Sequence, residues 1–233
     1  MRLNNYISST GLCSRREADK LIEQGRVTVN GKKAQVGQTV EEGAMVKVNN
    51  KLIKPKNNNV YIALNKPVGI TCTTERHVKG NIIDYVNYPE RIFPIGRLDK
   101  PSQGLIILTN DGVLANKILE SENEHEKEYI VTLDREFDEE FIKGMSSGVE
   151  ICGQVTRSCK VFRMDNNTFK IILTQGLNKQ IRRMSKVFGY NVVKLERVRI
   201  MNITLDGIEY GKYRFISKNE VEEMLRLTEK NNL

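Results

Sequence analysis

Histidine, cysteine and tryptophan are scarce in this chain of 233 residues, which has two histidines, four cysteines and no tryptophan. No CxxC pair exists among the cysteines, which are Cys13, Cys72, Cys152 and Cys159. The sequence therefore lacks the ligand spacing of a zinc site and predicts reduced, mostly buried thiols. A Cys–His nucleophile pair is hard to build from so few residues, although His125 stays open as a partner.

Long apolar runs are also missing. No segment approaches the roughly 20 apolar residues that a membrane span needs, and the first 20 residues, MRLNNYISSTGLCSRREADK, contain no apolar core of a signal peptide. Hydrophobic residues still make up 39% of the chain, enough for a core. We therefore expect a soluble, cytoplasmic protein without a membrane partner.

Positive charge is in excess. The formal net charge is +8 and the sequence pI is about 9.3, although acidic residues remain plentiful. A basic folded protein of this kind suggests a polyanionic partner, most often a nucleic acid. The alternative from charge alone is a solvated, lysine-rich surface.

Residues 1–50 read as a small unit. Ser14 and Glu17 have the spacing of a capping box, which predicts a helix to about Gln24. RVTVNGKKA predicts a hairpin that turns at Asn30-Gly31, and MVKVN predicts a further strand. Five basic residues crowd the helix start and the hairpin, and this clustering favours phosphate contact over a solvated surface: Arg15, Arg16, Arg26, Lys32 and Lys33.

Residues 51–59, KLIKPKNNN, are polar and read as a linker, and residues 60–233 read as a larger domain. Its strand patterns come in runs with few helices between them, and Ser217 and Glu220 form a second capping box before a C-terminal helix. The pattern predicts an α+β fold with a mixed, mostly antiparallel sheet flanked by helices.

One loop stands out between two apolar segments. In FPIGRLDKPSQGLIILT, Asp99 lies between Arg97 and Lys100, with Gly96 and Gly104 on either side. An aspartate in such a loop is usually a turn former or a solvated charge. Cationic neighbours, however, favour the ionised form of a carboxylate, which nucleophilic catalysis requires. The residues alone predict a basic pocket around one carboxylate.

The segment GRLDKPSQGLIILTNDG resembles the signature of pseudouridine synthases that act on ribosomal RNA, in the small-subunit-type branch. Three further segments agree in order and spacing: LNKPVG (64–69), EKEYIV (126–131) and QGLNKQIRRM (175–184). Residues 2–49 are similar to the small RNA-binding domain named after ribosomal protein S4. Within the branch, QGLNKQIRRM and LERVRIMNI look most like the F type that acts on the large subunit. Leu177, where related enzymes tend to carry a basic residue, agrees with that type.

The resemblance implies that Asp99 is the catalytic aspartate of a uridine isomerase that uses no cofactor and no metal. It implies that Tyr129 stacks on the uracil and assists proton removal from carbon 5, and that Arg182 pairs with the aspartate. Arg97 either fills the gap left by an extruded base or contacts a phosphate. Lys100 brings positive charge that would suit an RNA backbone, and Lys179 and Arg183 either contact RNA phosphates or are solvated charges. Arg182 and Arg183 point about 100° apart on a helix, so only one can face the pocket.

The expected partner is RNA, with large-subunit rRNA as the first candidate and transfer RNA as the second; a monomer is the default. Two rival functions remain at this point. One is a non-catalytic RNA-binding assembly factor that has kept the fold. The other is a DNA-binding regulator that reads DNA with the helix from Arg15 to Gln24. The Asp99, Tyr129 and Arg182 set favours the isomerase, and the lack of a dimer signature disfavours DNA as a partner.

Overall fold

A computed structural model describes residues 1–55, 58–119 and 124–230 of the chain. These residues form two compact units. The first comprises the described part of Met1–Val60 with two short segments, Tyr88–Ile92 and Asn110–Gly112, and the second comprises the remainder. No helix in the described ranges is long and apolar enough to cross a membrane.

The first unit packs two helices against a small antiparallel sheet. Ser14 caps the second helix, and the Glu17 side chain accepts from the Ser14 backbone, so the predicted capping box is confirmed. Asn30 and Gly31 both have positive φ, as the predicted hairpin turn requires. The elements are α1 (Leu3–Ser9), α2 (Arg15–Glu23), β1 (Val27–Val29), β2 (Lys32–Lys33), β3 (Val46–Val48) and β4 (Lys51–Leu52), with strand order β2-β1-β3-β4.

The strand β4 corrects the sequence analysis, because it lies inside the range predicted as linker. Lys51 pairs with Val48 and Leu52 with Lys47, so the small sheet continues two residues past position 50. Within the same predicted range, Lys56 and Asn57 lie outside the described residues. The helix α1 is an element that the sequence patterns do not predict; its buried Leu3 and Ile7 pack in the core of the unit.

The second unit is an α+β structure around one large sheet, as predicted. Its elements are β5 (Tyr61–Lys66), α3 (Ile82–Val86), β6 (Phe93–Ile95), β7 (Gln103–Thr109), α4 (Gly112–Leu119), β8 (Lys127–Leu133), α5 (Glu139–Ser147), β9 (Glu150–Ile151), β10 (Gln154–Val155), β11 (Lys160–Arg163), β12 (Thr168–Leu173), α6 (Gln180–Val187), β13 (Val192–Ile200), β14 (Ile203–Thr204), β15 (Tyr213–Phe215) and α7 (Lys218–Lys230). Ser217 and Glu220 form the second predicted capping box, at the start of α7.

The described strands of the large sheet run in the order β11-β12-β8-β13-β7-β5-β15, and β6 and β14 pair with β7 and β13. Strand β13 pairs with β7 in parallel, whereas its pairing with β8 and the pairing of β5 with β7 are antiparallel. Strand β7 is apolar and buried along nearly its whole length, as expected for a strand covered on both faces. The parallel pair brings the chain after Asp99 alongside the C-terminal third of the sequence.

The four cysteines are all free, and their exposure overturns the prediction of mostly buried thiols. Only Cys72 is buried, Cys13 and Cys159 are half-buried, and Cys152 is exposed. Cys152 and Gly153 form the turn between β9 and β10, where both residues have positive φ, and this turn holds the Cys152 side chain at the surface.

Candidate active site

The segment that carries Asp99 is a tight loop between β6 and β7. Three hydrogen bonds hold its backbone. The Ser102 N–H donates to the Asp99 carbonyl at 2.9 Å, and the Gly69 N–H donates to the Lys100 carbonyl at 2.8 Å. The Leu98 N–H donates to the Cys72 sulfur at 3.4 Å. Leu98 itself is buried. The loop is therefore fixed by the turn after β5 as well as by its own ends.

The close approach of β7 to β13 depends on Gly104, which follows this loop. Gly104 has a φ of +105°, and a Cβ atom there would lie 2.3 Å from the Arg197 carbonyl oxygen and 2.7 Å from the Arg197 nitrogen. Only glycine fits both the dihedral and the space. The parallel pair of Gly104 with Arg197 thus fixes where the Asp99 loop leaves the sheet.

Asp99, Tyr129 and Arg182 line one cavity of about 390 Å³. They come from the β6–β7 loop, from β8 and from α6, which are distant in sequence. The volume falls within the range of about 300–1000 Å³ that is usual for small-molecule sites. The other predicted residues on its wall are Arg97 and Lys179, and its apolar part includes Leu98, Leu173, Ile181 and Leu195.

The hydrogen bonds of Arg182 go to neutral acceptors. Within the described residues, no ion pair joins Arg182 to Asp99. The guanidinium instead donates to the Val192 carbonyl at 2.8 Å, to the Ser102 hydroxyl at 3.2 Å and to the Pro101 carbonyl at 3.4 Å. Burial lowers the pKa of Arg182, and the negative charge of Asp99 opposes that effect. These three acceptors hold the guanidinium, and the pairing of Arg182 with Asp99 stays a prediction, with the attraction between the two charges acting through space in this structure.

Tyr129 occupies the middle of the large sheet. On β8 it lies between Ile171 of β12 and Arg197 of β13, and its side chain is buried except where it reaches the cavity. Neighbouring strands therefore hold the ring on both sides. A phenol at this position can offer a flat apolar face and a hydroxyl to a bound ligand.

The helix α6 separates its two arginines as expected. Arg182 lines the cavity, whereas Arg183 does not. The Arg183 guanidinium contacts the Cys152 sulfur in the β9–β10 hairpin and donates to the side chain of Asn178, just before α6, at 2.8 Å. Lys179, at the N-cap, has a φ of +50° and is exposed at the cavity wall. Lys100 is exposed on the Asp99 loop but does not line the cavity.

Two buried cations lie close to the Asp99 loop, and the sequence analysis did not single out either of them. Arg197 is 3% exposed and donates to the Leu105 carbonyl at 2.7 Å and to the Arg97 carbonyl at 3.4 Å, one on each side of the Asp99 loop. Lys66 is fully buried and donates to the Pro67 and Ile70 carbonyls. Burial lowers the pKa of Lys66, and the charge of Asp99 opposes this. The alternation in LERVRI, which sets Arg197 on the same face as buried Leu195, was the available signal.

The basic residues of the first unit remain at its surface. Arg15, Arg16 and Lys32 are exposed, at the start of α2 and on β2. Arg26 is also exposed, and its Nε donates to the Asn49 side chain at 2.7 Å, which orients the guanidinium beside the hairpin. Across residues 1–55, 58–119 and 124–230, no group of three or more His, Cys, Asp or Glu side chains is arranged to hold a metal ion.

Comparisons with known proteins bear on both units. A family model described as RNA pseudouridylate synthase matches residues 60–186, and one described as S4 domain matches residues 1–46. The chain is similar to the dual-specificity RNA pseudouridine synthase RluF of Escherichia coli (strain K12), with 57% identity over 98% of this chain and 80% of that protein. It is also similar to the ribosomal large subunit pseudouridine synthase B of Bacillus subtilis (strain 168), with 30% identity over 98% of this chain and 97% of that protein.

A solved structure agrees with these sequence matches. A crystal structure of a pseudouridylate synthase superposes with a TM-score of 0.72 and 28% identity, covering 96% of this chain and 99% of that one. The family model spans more than half of the chain, and the RluF match spans nearly all of it. The chain therefore belongs to the RNA pseudouridylate synthase family, as an isomerase that converts uridine in RNA to pseudouridine and carries an S4 domain at its N-terminus.

Proposed function

We propose that Asp99 is the catalytic carboxylate of this isomerase and that the target uridine binds in the cavity it lines. The observation that supports the assignment is the convergence of Asp99, Tyr129 and Arg182 on one cavity from three separate elements. A negatively charged side chain, an aromatic face and a half-buried cation within one small site are a suitable set for chemistry on a base. A non-catalytic assembly factor would have no need of this convergence.

The proposed reaction rearranges bonds without net gain or loss of atoms. The bond between uracil nitrogen 1 and ribose carbon 1′ breaks, the base turns, and carbon 5 joins carbon 1′. The proton on carbon 5 leaves, and nitrogen 1 ends with a proton. Attack of the Asp99 carboxylate on the sugar, its attack on the uracil ring, and its assistance to a glycal route all need an ionised carboxylate within reach of the base. The protein alone supplies these groups.

Tyr129 and Arg182 have supporting roles in this proposal. The Tyr129 ring stacks on the uracil, and its hydroxyl assists removal of the carbon 5 proton. The Arg182 guanidinium, held by Val192 and Ser102, places a positive charge on the wall of the cavity that the carboxylate lines. Because Arg182 is anchored by other acceptors, it can stabilise Asp99 without blocking the oxygen that reacts.

The substrate that we infer is large-subunit rRNA, with transfer RNA as a second substrate. The B. subtilis relative is named for the large ribosomal subunit, and the RluF name includes dual specificity, which supports more than one target. Arg15, Arg16, Arg26 and Lys32 would hold the RNA backbone through the S4 domain, and Lys100, Lys179 and Arg183 would contact phosphates near the site. The protein would work as a cytoplasmic monomer.

Arg97 fits either of the two roles that the sequence suggests. Its side chain is exposed at the cavity wall, two residues before Asp99. A base that undergoes chemistry must leave the stack, and the vacated space needs an occupant. A planar guanidinium can fill that space, whereas a phosphate contact requires charge alone.

The proposal is tested with an RNA transcript labelled with tritium at uridine carbon 5. The wild-type protein should release tritium, and Asp99→Asn should abolish release while RNA binding stays within about three-fold, since a single neutralised charge costs little in binding. Asp165→Asn is the matched control, because Asp165 is an exposed turn residue between β11 and β12. Turnover by Asp99→Asn at the wild-type rate would show that another group performs the chemistry.

A further inference from the structure

Two tyrosines near the Asp99 loop expose their rings although their hydroxyls are hydrogen-bonded. Tyr85 on α3 is 40% exposed, and its hydroxyl donates to the Gly211 carbonyl at 2.9 Å. Tyr210 is 56% exposed, and its hydroxyl accepts from the Val68 N–H at 2.9 Å. The hydrogen bonds restrain each ring, while much of its apolar surface remains in water. Restrained, exposed aromatic rings bind a flat partner at a low cost in conformational entropy.

We call Tyr85, Tyr210 and Val68 the tyrosine surface. Val68 is itself half exposed and belongs to the turn after β5. The next residue, Gly69, donates its N–H to the Lys100 carbonyl at 2.8 Å, one residue beyond Asp99. The tyrosine surface is therefore connected to the Asp99 loop through a single backbone hydrogen bond.

The backbone at Gly211 leaves little free space around the hydroxyl of Tyr85. Gly211 has a φ of +78°, and a Cβ atom there would lie 2.7 Å from the Tyr85 hydroxyl oxygen. The helix α3, which carries Tyr85, is capped by Asn81, whose side chain accepts from the Asp84 N–H. The hydrogen bond to the Gly211 carbonyl therefore restrains the Tyr85 ring at its hydroxyl end.

Exposed lysines lie close to the tyrosine surface in the chain. Lys212 follows Tyr210 by two residues and Lys79 precedes Tyr85 by six, while the backbone carbonyl of Lys100 accepts the hydrogen bond from the Gly69 N–H. Aromatic rings with nearby cations are the combination by which proteins bind unpaired RNA, the rings stacking on bases and the cations meeting phosphates. An apolar protein partner would not require the lysines.

We propose that the tyrosine surface binds an unpaired nucleobase that neighbours the target uridine, by stacking on Tyr210 and Tyr85. This inference rests on the proposed function, because it takes the cavity of Asp99 as the place of the uridine. Extrusion of a uridine leaves its neighbours without a stacking partner, which disfavours the extruded state. A ring surface linked to the Asp99 loop would restore that contact and so favour RNA in which the target is unpaired.

The test compares a hairpin RNA with an unpaired loop to a fully paired duplex of the same stem. One loop adenine is replaced by 2-aminopurine, whose fluorescence falls when it stacks. The variants are Tyr85→Ala with Tyr210→Ala, which removes the rings, and Tyr85→Phe with Tyr210→Phe, which keeps the rings but loses the hydroxyl contacts. Phe162→Ala is the matched control: Phe162 is 47% exposed on β11, at the opposite end of the sheet order from β15.

The double alanine variant should bind the looped hairpin about 5- to 150-fold more weakly and the duplex within about two-fold of the wild type. The Phe162→Ala variant should keep wild-type affinity and quenching, and the double phenylalanine variant, which keeps the rings but loses their restraint, should lose less affinity than the double alanine variant. The salt dependence of binding should stay unchanged, because no phosphate contact is removed. Absence of quenching by the wild-type protein, or equal losses in the alanine and phenylalanine variants, would overturn the inference.

The failure of this inference can be distinguished from a failure of the proposed function. The binding measurements require no turnover, so they give the same answer whichever residue performs the chemistry. Tritium release by Asp99→Asn tests the catalyst alone. If the tyrosine variants bind as the wild type does while Asp99→Asn is inactive, the inference about the tyrosine surface fails and Asp99 remains the proposed catalyst.

Discussion

Gly104→Ala is the substitution that tests most sharply how the site is assembled. The added Cβ atom would lie 2.3 Å from the Arg197 carbonyl oxygen and 2.7 Å from the Arg197 nitrogen. Both are backbone atoms of β13, so no flexible side chain can move aside. The φ of +105° is also a conformation that alanine rarely adopts. The variant must therefore separate β7 from β13 or change the backbone of β7.

The cost follows from two sources. An unfavourable backbone conformation costs about 1–3 kcal/mol, and overpacking costs about 1–3 kcal/mol. Together they predict a loss of about 2–6 kcal/mol in the free energy of unfolding, a large share of the roughly 5–15 kcal/mol of a typical domain. The folded fraction should also release tritium more slowly, because β7 continues directly from the Asp99 loop.

Urea unfolding monitored by circular dichroism measures this loss by linear extrapolation. Gly112→Ala is the matched control: a Cβ atom there meets nothing within 4 Å, and its φ is not in the left-handed region. The control should unfold within about 1 kcal/mol of the wild type. If Gly104→Ala also unfolds within that margin, the close pairing of Gly104 with Arg197 is not the constraint described above.

Three further outcomes are expected. Glu220→Gln should lower the free energy of unfolding, measured by urea titration, by about 1–2 kcal/mol at pH 7. Hydrogen bonds from Arg214 lower the pKa of Glu220 from 4.5 to about 2. The stability difference between wild type and variant should therefore be complete above pH 4.5 and shrink as the pH falls toward 2. Arg182→Lys, which lacks the guanidinium fork, should slow tritium release at saturating RNA by about 100-fold with little change in RNA affinity; an unaltered rate would contradict its role. Deletion of residues 1–55 should weaken RNA binding or site choice more than the chemistry on a short stem-loop, and loss of all folding would contradict two separate domains.

Local signals in the sequence predicted many elements well. The capping residues Ser14 and Ser217 marked the starts of α2 and α7, and Asn30-Gly31 marked the turn of the β1–β2 hairpin. Each of these signals is a hydrogen bond or a backbone dihedral within a few residues, so it is visible in one stretch of sequence. The short helices α1 and α3 were missed because five to seven residues carry too little periodicity to be recognised.

Long-range pairings explain what the sequence could not show. Arg197 donates to a carbonyl 92 residues away, and this contact exists only because β13 lies parallel to β7. The contacts of Arg182 with Val192 and Ser102 likewise depend on how α6 packs beside the Asp99 loop. The motifs indicated which residues meet in the site, whereas the partners of each side chain followed only from the sheet order.

Pseudouridine maps of ribosomal and transfer RNA from cells with and without the gene would decide whether the protein isomerises a uridine in large-subunit rRNA by means of Asp99. Loss of the gene should remove pseudouridine from a specific position in large-subunit rRNA. The wild-type gene and Asp165→Asn should restore it, and Asp99→Asn, produced at the same level, should not. Identical maps with and without the gene, or restoration by Asp99→Asn, would contradict the proposed function.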